Sequence, residues 1–128
     1  MTQNTMQQII ITEPGGPEKL AYETVAIPEP QANEVLVKVH AFGLNRPDIL
    51  QRQGLYPMPK GVTPVPGLEV AGEVVAVGAD VSQFKVGDAV CGLTNGGGYA
   101  EYCVVPESQT LTIPSGVSFV QAAAIPET

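Results

Sequence analysis

The chain has 128 residues, enough for about one domain, and 44% of them are hydrophobic, which favours a packed core over disorder. A formal net charge of −7, with only six Lys and Arg residues, excludes the basic patch that nucleic-acid binding needs. No apolar run approaches the ~18 residues of a membrane span, and residues 1–8 lack the charged and apolar regions of a signal peptide, so a cytoplasmic location is expected.

Residues 7–12, around Ile9-Ile10-Ile11, predict a first strand, closed by the turn block Glu13-Pro14-Gly15-Gly16-Pro17. Residues 20–27 predict a second strand, which Pro28 and Pro30 end. Residues 34–44 alternate with period two. Val35, Val37, Val39 and Ala41 share one face, and Lys38 and His40 the other, as in a half-buried strand. His40 on that polar face is expected to be an ordinary surface or half-buried residue. Next, Asn45 suits an N-cap, Pro47 a first helical turn, and Asp48 the positive helix end. A short helix over residues 45–53 follows, with Ile49 and Leu50 turned inward and Gly54 closing it.

Residues 54–67 hold four prolines and three glycines. They predict a long irregular loop, a type of segment that often carries function. Residues 70–77 form a β-branched run with Gly72 inside it, and short strands are expected over 89–93, 99–106 and 109–113. Gly96-Gly97-Gly98 predicts a hairpin-like turn between two of them. Gly67, Gly72 and Gly78 are expected to serve tight backbone geometry. Ser118 caps an alanine-rich helical stretch, and Pro126 suits the start of another helix. Strands at this spacing imply a mainly β barrel or sandwich with one or two short helices.

Pattern alone supplies little chemistry. The motifs GxGxxG, GxxxxGK[ST] and HExxH are all missing from the sequence. Cys91 and Cys103 are expected to be reduced and buried. Together with the single histidine they are too few for a four-ligand structural zinc site.

Five motifs in register carry more. They are GLNRPDILQRQGLYP (43–57), GLEVAGEVVAVG (67–78), VGDAV (86–90), GGGYAEY (96–102) and AAAIPE (122–127), and GGPEKL at 15–20 fits with them. Their order and spacing resemble the N-terminal GroES-like catalytic domain of zinc-independent NAD(P)H quinone oxidoreductases, in the medium-chain dehydrogenase/reductase superfamily. The resemblance implies a mainly β, GroES-like partial barrel with one or two short helices over residues 1–117. Residues 118–128 would begin the link to a Rossmann α/β domain in the parent, and that domain would bind most of the NADPH. The implied reaction is hydride transfer from nicotinamide to a quinone or other small electrophilic substrate, with no nucleic-acid or membrane partner. The parent would be a homodimer or larger, and the 128-residue chain alone is expected to be inactive. Two alternatives stand beside this: a reductase of enones or enoyl thioesters, and a stand-alone GroES-like binding module.

The same resemblance points to individual residues. In zinc-dependent relatives, the position of Asn45 holds a Cys ligand and the position of Leu68 a His ligand. An amide is a poor zinc ligand and an isobutyl group is none, so no metal is expected. Without one, an acceptor that takes hydride easily fits better than an alcohol donor. Asn45 and Tyr56 are the implied catalytic residues, and Asn45, Arg46 and Tyr56 the implied contacts to the cofactor. The Asn45 amide would donate to a carbonyl while also capping a helix. Tyr56 would either donate and stack in the cleft or anchor its loop. Arg46 would reach a cofactor phosphate or ribose, or pair with Asp48. Glu69, a carboxylate in an apolar run, needs partners and is expected to order the helix that begins at Asn45.

Overall fold

The computed structural model of the protein describes residues 5–55, 65–94 and 96–125. β1 (Thr5–Ile11) and β2 (Leu20–Ala26) pair antiparallel, joined by the predicted Pro-Gly turn. Arg52 locks that turn to the body of the domain. Its Nε donates to the Gly15 carbonyl at 3.1 Å, and the Gly15 N–H donates to the Arg52 carbonyl at 2.8 Å. A salt bridge between Lys19 and Glu13 closes the turn on its exposed side.

A five-stranded antiparallel sheet forms the rest of the β structure. Its strands are β3 (Glu34–Phe42), β4 (Glu69–Val77), β5 (Ala89–Leu93), β6 (Tyr102–Pro106) and β7 (Thr110–Thr112), in the order β6-β3-β4-β5-β7. The sheet curls into a half barrel, so the expected mainly β class holds. Two short helices accompany it, α1 (Arg46–Arg52) and α2 (Phe119–Ala122). Ser118 caps α2 as predicted, its hydroxyl accepting from the Gln121 N–H at 3.1 Å.

The core follows the β-branched runs. Val35, Val37, Val70, Val74, Val90 and Val105 are all essentially inaccessible, and Cys103 packs among them. A second cluster joins Ala71 and Cys91 to Ala122 and Ala123, which seats α2 on the sheet. Both cysteines are reduced and buried. No helix among the described residues is long and apolar enough to cross a membrane.

Three expectations are corrected. The period-two pattern of β3 breaks at a register shift between Val39 and Ala41. Phe42 therefore joins Val35, Val37 and Val39, while Ala41 packs with the α2 cluster. An extra residue in one strand swaps the two faces beyond it. On α1 the buried residue is Asp48; Leu50 is half-buried, and Ile49 stays 36% exposed. Finally, Gly96-Gly97-Gly98 is no hairpin, because β3 and β4 lie between β5 and β6. The Gly97, Gly98 and Tyr99 N–H groups donate to the Val65, Gly67 and Pro66 carbonyls at 2.8, 3.2 and 3.0 Å. A Cβ on Gly67 would meet the Gly98 Cα and the Tyr99 nitrogen at 2.7 Å, so two glycines serve one backbone crossing.

Candidate functional site

β3 ends at Phe42, and the chain turns through Gly43 and the 76%-exposed Leu44 into α1. Asn45 is the N-cap of that helix, with the extended backbone (φ −127°, ψ 159°) such a residue adopts. It forms a capping box with Asp48, whose Oδ2 accepts the Asn45 backbone N–H at 3.0 Å. The side-chain nitrogen of Asn45 reaches the start of β4 and donates to Glu69 Oε1 at 3.0 Å. The carboxylate in the apolar run thus has the helix-ordering partner that its burial calls for. Arg46 is exposed on the first turn of α1 and makes no ion pair with Asp48 among the described residues. Tyr56 lies outside the described residues.

Asp48 is 4% exposed, and its Oδ2 also accepts the Tyr99 hydroxyl at 2.8 Å. The ring of Tyr99 stacks on Phe42 with centroids 4.5 Å apart. Burial pushes the Tyr99 phenol well above its usual range, and its hydrogen bond to Asp48 adds to that. The sequence reading placed Tyr99 only at the start of the expected strand over 99–106 and missed this contact. Its partner lies 51 positions away, and no local spacing signals such a pair. A further small gap, lined by Asp48, Arg52, Pro66 and Tyr99, adjoins the pair. Asp48 Oδ1 is buried without a hydrogen-bond partner among the described residues.

Removing the Tyr99 hydroxyl should therefore be costly. In Tyr99→Phe the buried carboxylate keeps, among the described residues, only the Asn45 N–H, and a hydrogen bond to a charged group contributes about 1.5–3 kcal/mol. The urea midpoint should fall by that energy divided by the slope of the transition, with the slope itself unchanged. A midpoint equal to wild type would remove Tyr99 from the support of α1.

Other features surround the site without entering it. His40 is exposed and stacks on Phe119 of α2 at 4.2 Å between centroids. An open cavity of about 380 Å³ lies between β1 and β3, lined by Ile9, Tyr22, His40, Phe42 and Tyr99 among others, and Asn45 is not part of it. The N–H groups of Gly97, Gly98 and Tyr99 are spent on the 65–67 segment, so they build no phosphate cradle. No cluster of three His, Cys, Asp or Glu side chains suited to a metal ion occurs among the described residues.

Known proteins share this arrangement of elements. The family described as "Alcohol dehydrogenase GroES-like domain" matches residues 31–115. A quinone oxidoreductase of Sus scrofa is 44% identical over 125 residues, which cover 96% of this chain and 38% of that protein. Among solved structures, a mycobacterial protein complexed with NADPH has 39% identity and a TM-score of 0.82, over 92% of this chain and 35% of the other. The CurK enoyl reductase has 32% identity and a TM-score of 0.85, over 97% and 40%. The chain thus spans well under half the length of these similar proteins.

Proposed function

The chain belongs to the alcohol dehydrogenase GroES-like domain family of the medium-chain dehydrogenase/reductase superfamily, and on that premise we propose that it is the substrate-side part of an NADPH-dependent quinone oxidoreductase. The observation that carries this reading is the 44% identity to a quinone oxidoreductase across 96% of the chain. The NADPH complex of a structural neighbour supports the choice of cofactor. The chain itself would offer a wall for the nicotinamide end, and among the described residues the N–H groups of Gly97, Gly98 and Tyr99 are not free to cradle phosphates. Residues 118–128 would lead into the Rossmann domain that supplies one.

When bound, the nicotinamide supplies the hydride. The work of this chain is placement. Asn45 would contact the cofactor or the substrate carbonyl, Tyr56 would donate and stack in the cleft, and Arg46 would reach the cofactor ribose or a phosphate. Asn45 and Leu68 stand where zinc ligation would need thiolate and imidazole, which supports hydride transfer without zinc. The complete enzyme would be a cytoplasmic homodimer or larger assembly.

The likeness to an enoyl reductase favours one second reading, the reduction of enones or enoyl thioesters. Product analysis of the full-length protein with NADPH and either a quinone or an enone separates the two. The 128-residue chain alone should consume no NADPH with a quinone, and steady-state turnover by it would contradict the division of labour. In the full-length protein, Tyr56→Phe should lower kcat/KM for the quinone by roughly 2- to 13-fold, the equivalent of one neutral hydrogen bond. An unchanged kcat/KM would assign Tyr56 to loop packing.

A further inference from the structure

Glu69 opens β4 at 3% exposure, and the Val70 and Ala71 that follow it are fully buried. Its Oε1 accepts the Asn45 Nδ2–H at 3.0 Å. Gly43, two residues before Asn45, makes the room for this. A Cβ there would land on Glu69 Oε1 and lie 2.6 Å from Cδ and 2.7 Å from Cγ. A side chain at position 43 and a carboxylate on Asn45 are therefore mutually exclusive.

We propose that Glu69 is the positioning residue of Asn45, with Gly43 holding the space for it, so that the Asn45 amide meets its ligand in one orientation. This rests on the role given to Asn45 above. The carboxyl oxygen accepts, so the nitrogen end of the amide faces Glu69. Its oxygen end is turned to the Asp48 backbone N–H in the capping box, and one amide N–H remains for another acceptor. The last torsion of an asparagine is broad and roughly two-fold, so an unrestrained amide would sample both ends. A hydrogen bond to a charged acceptor biases that choice roughly 10- to 100-fold. An amide fixed in advance does not have to reorganise as charge develops.

Donor–acceptor exchange in the full-length protein tests this. Asn45→Asp sets two carboxylates in hydrogen-bond contact, and two such groups cannot both ionise readily. The variant should melt below wild type at pH 8 and regain stability as the pH falls and the pair takes up a proton. Adding Glu69→Gln turns the hydrogen bond round, with the new amide donating to the new carboxylate. The double variant should regain the wild-type melting temperature at pH 8, yet kcat should stay roughly tenfold or more below wild type, because the wrong group faces the ligand. A single variant with the wild-type pH dependence of melting would show that the pair does not touch, and would overturn the proposal. So would a double variant with full kcat, since amide orientation would then be immaterial.

Should Asn45→Asp not fold at any pH, Gly43→Ala takes its place. The added methyl displaces the carboxylate while both partners remain, and kcat should fall roughly tenfold with the cooperative melt retained; wild-type kcat there would overturn the proposal. If wild-type protein reduces neither quinone nor enone, the functional reading fails instead. The pH dependence of Asn45→Asp melting still decides whether Glu69 orients Asn45.

Discussion

Gly72→Ala should remove a large share of the protein's folding stability. Gly72 sits mid-sheet, paired with Val39 on one side and Val90 on the other. An added Cβ would land on the Lys38 carbonyl oxygen and come within 2.9 Å of the Lys38 carbonyl carbon and of Val37 Cγ1. The main obstruction is backbone, which no rotamer change relieves. Only separation of β3 from β4 would make room, and those strands carry Val35, Val37, Val70 and Val74 of the core. The expected loss is about 4 kcal/mol or more, against a total of about 5–15 kcal/mol for an ordinary domain. Gly16→Ala is the control. Its Cβ would meet the end of the Glu18 side chain, which is exposed and free to swing away, so the change should stay within about 0.5 kcal/mol. The chain has no tryptophan, so far-UV circular dichroism in urea is the suitable readout. A Gly72→Ala midpoint close to that of Gly16→Ala would mean that β3 and β4 yield more easily than their packing implies.

Local signals carried the sequence reading far along the chain. The 34–44 and 70–77 runs became β3 and β4 with ends shifted by one or two residues, and 89–93 matched β5. Asn45, Pro47 and Asp48 located the start of α1 because capping is decided within four residues. Ser118 did the same for α2. Where the outcome depended on residues distant in sequence, the pattern misled. Three glycines between two strand-like runs look like a hairpin, yet what they answer is the 65–67 segment, some 30 residues earlier. Period two held along β3 only as far as the bulge at Val39, whose cause lies in its pairing with β4.

The candidate site divides in the same way. That Glu69 needs a partner follows from a carboxylate in an apolar run, and its link to Asn45 emerged once β3 and β4 paired with their ends level. The Tyr99–Asp48 bond had no such cue. It arises because the Gly67–Gly98 crossing brings Tyr99 over Phe42, which leaves its hydroxyl at Asp48. One packed unit therefore supports the N-terminus of α1 from two sides: Glu69 holds the side chain of Asn45, and Asp48 with Tyr99 holds its backbone.

Stability should fall steeply between about pH 9 and pH 12. Burial pushes the Cys103 thiol up from 9.0 to about 12, and the Glu34 charge adds to this against a lowering hydrogen bond with Thr94. Cys103 is 3% exposed, so the shift belongs to the folded state. The sign follows from proton counting. Below about pH 9 the thiol is protonated whether the chain is folded or not, and its contribution to stability is complete. Above that, the unfolded chain has released a proton that the folded chain still holds, and stability drops by about 1.4 kcal/mol per pH unit. Over the three units to pH 12 the loss is on the order of 4 kcal/mol. The Cys91 thiol, raised by burial as well, acts in the same direction above about pH 9, and the Tyr99 phenol, also raised by burial, adds to the loss above about pH 10. Urea melts at pH 8, 9.5 and 11 should therefore show a falling midpoint. Cys103→Ala, although less stable at pH 8 for want of packing, should lose less between pH 9 and 10 than wild type does. Parallel pH profiles for the two proteins would mean that water reaches the thiol from the folded state, and that the core formed by β3, β4 and β6 is open at that point.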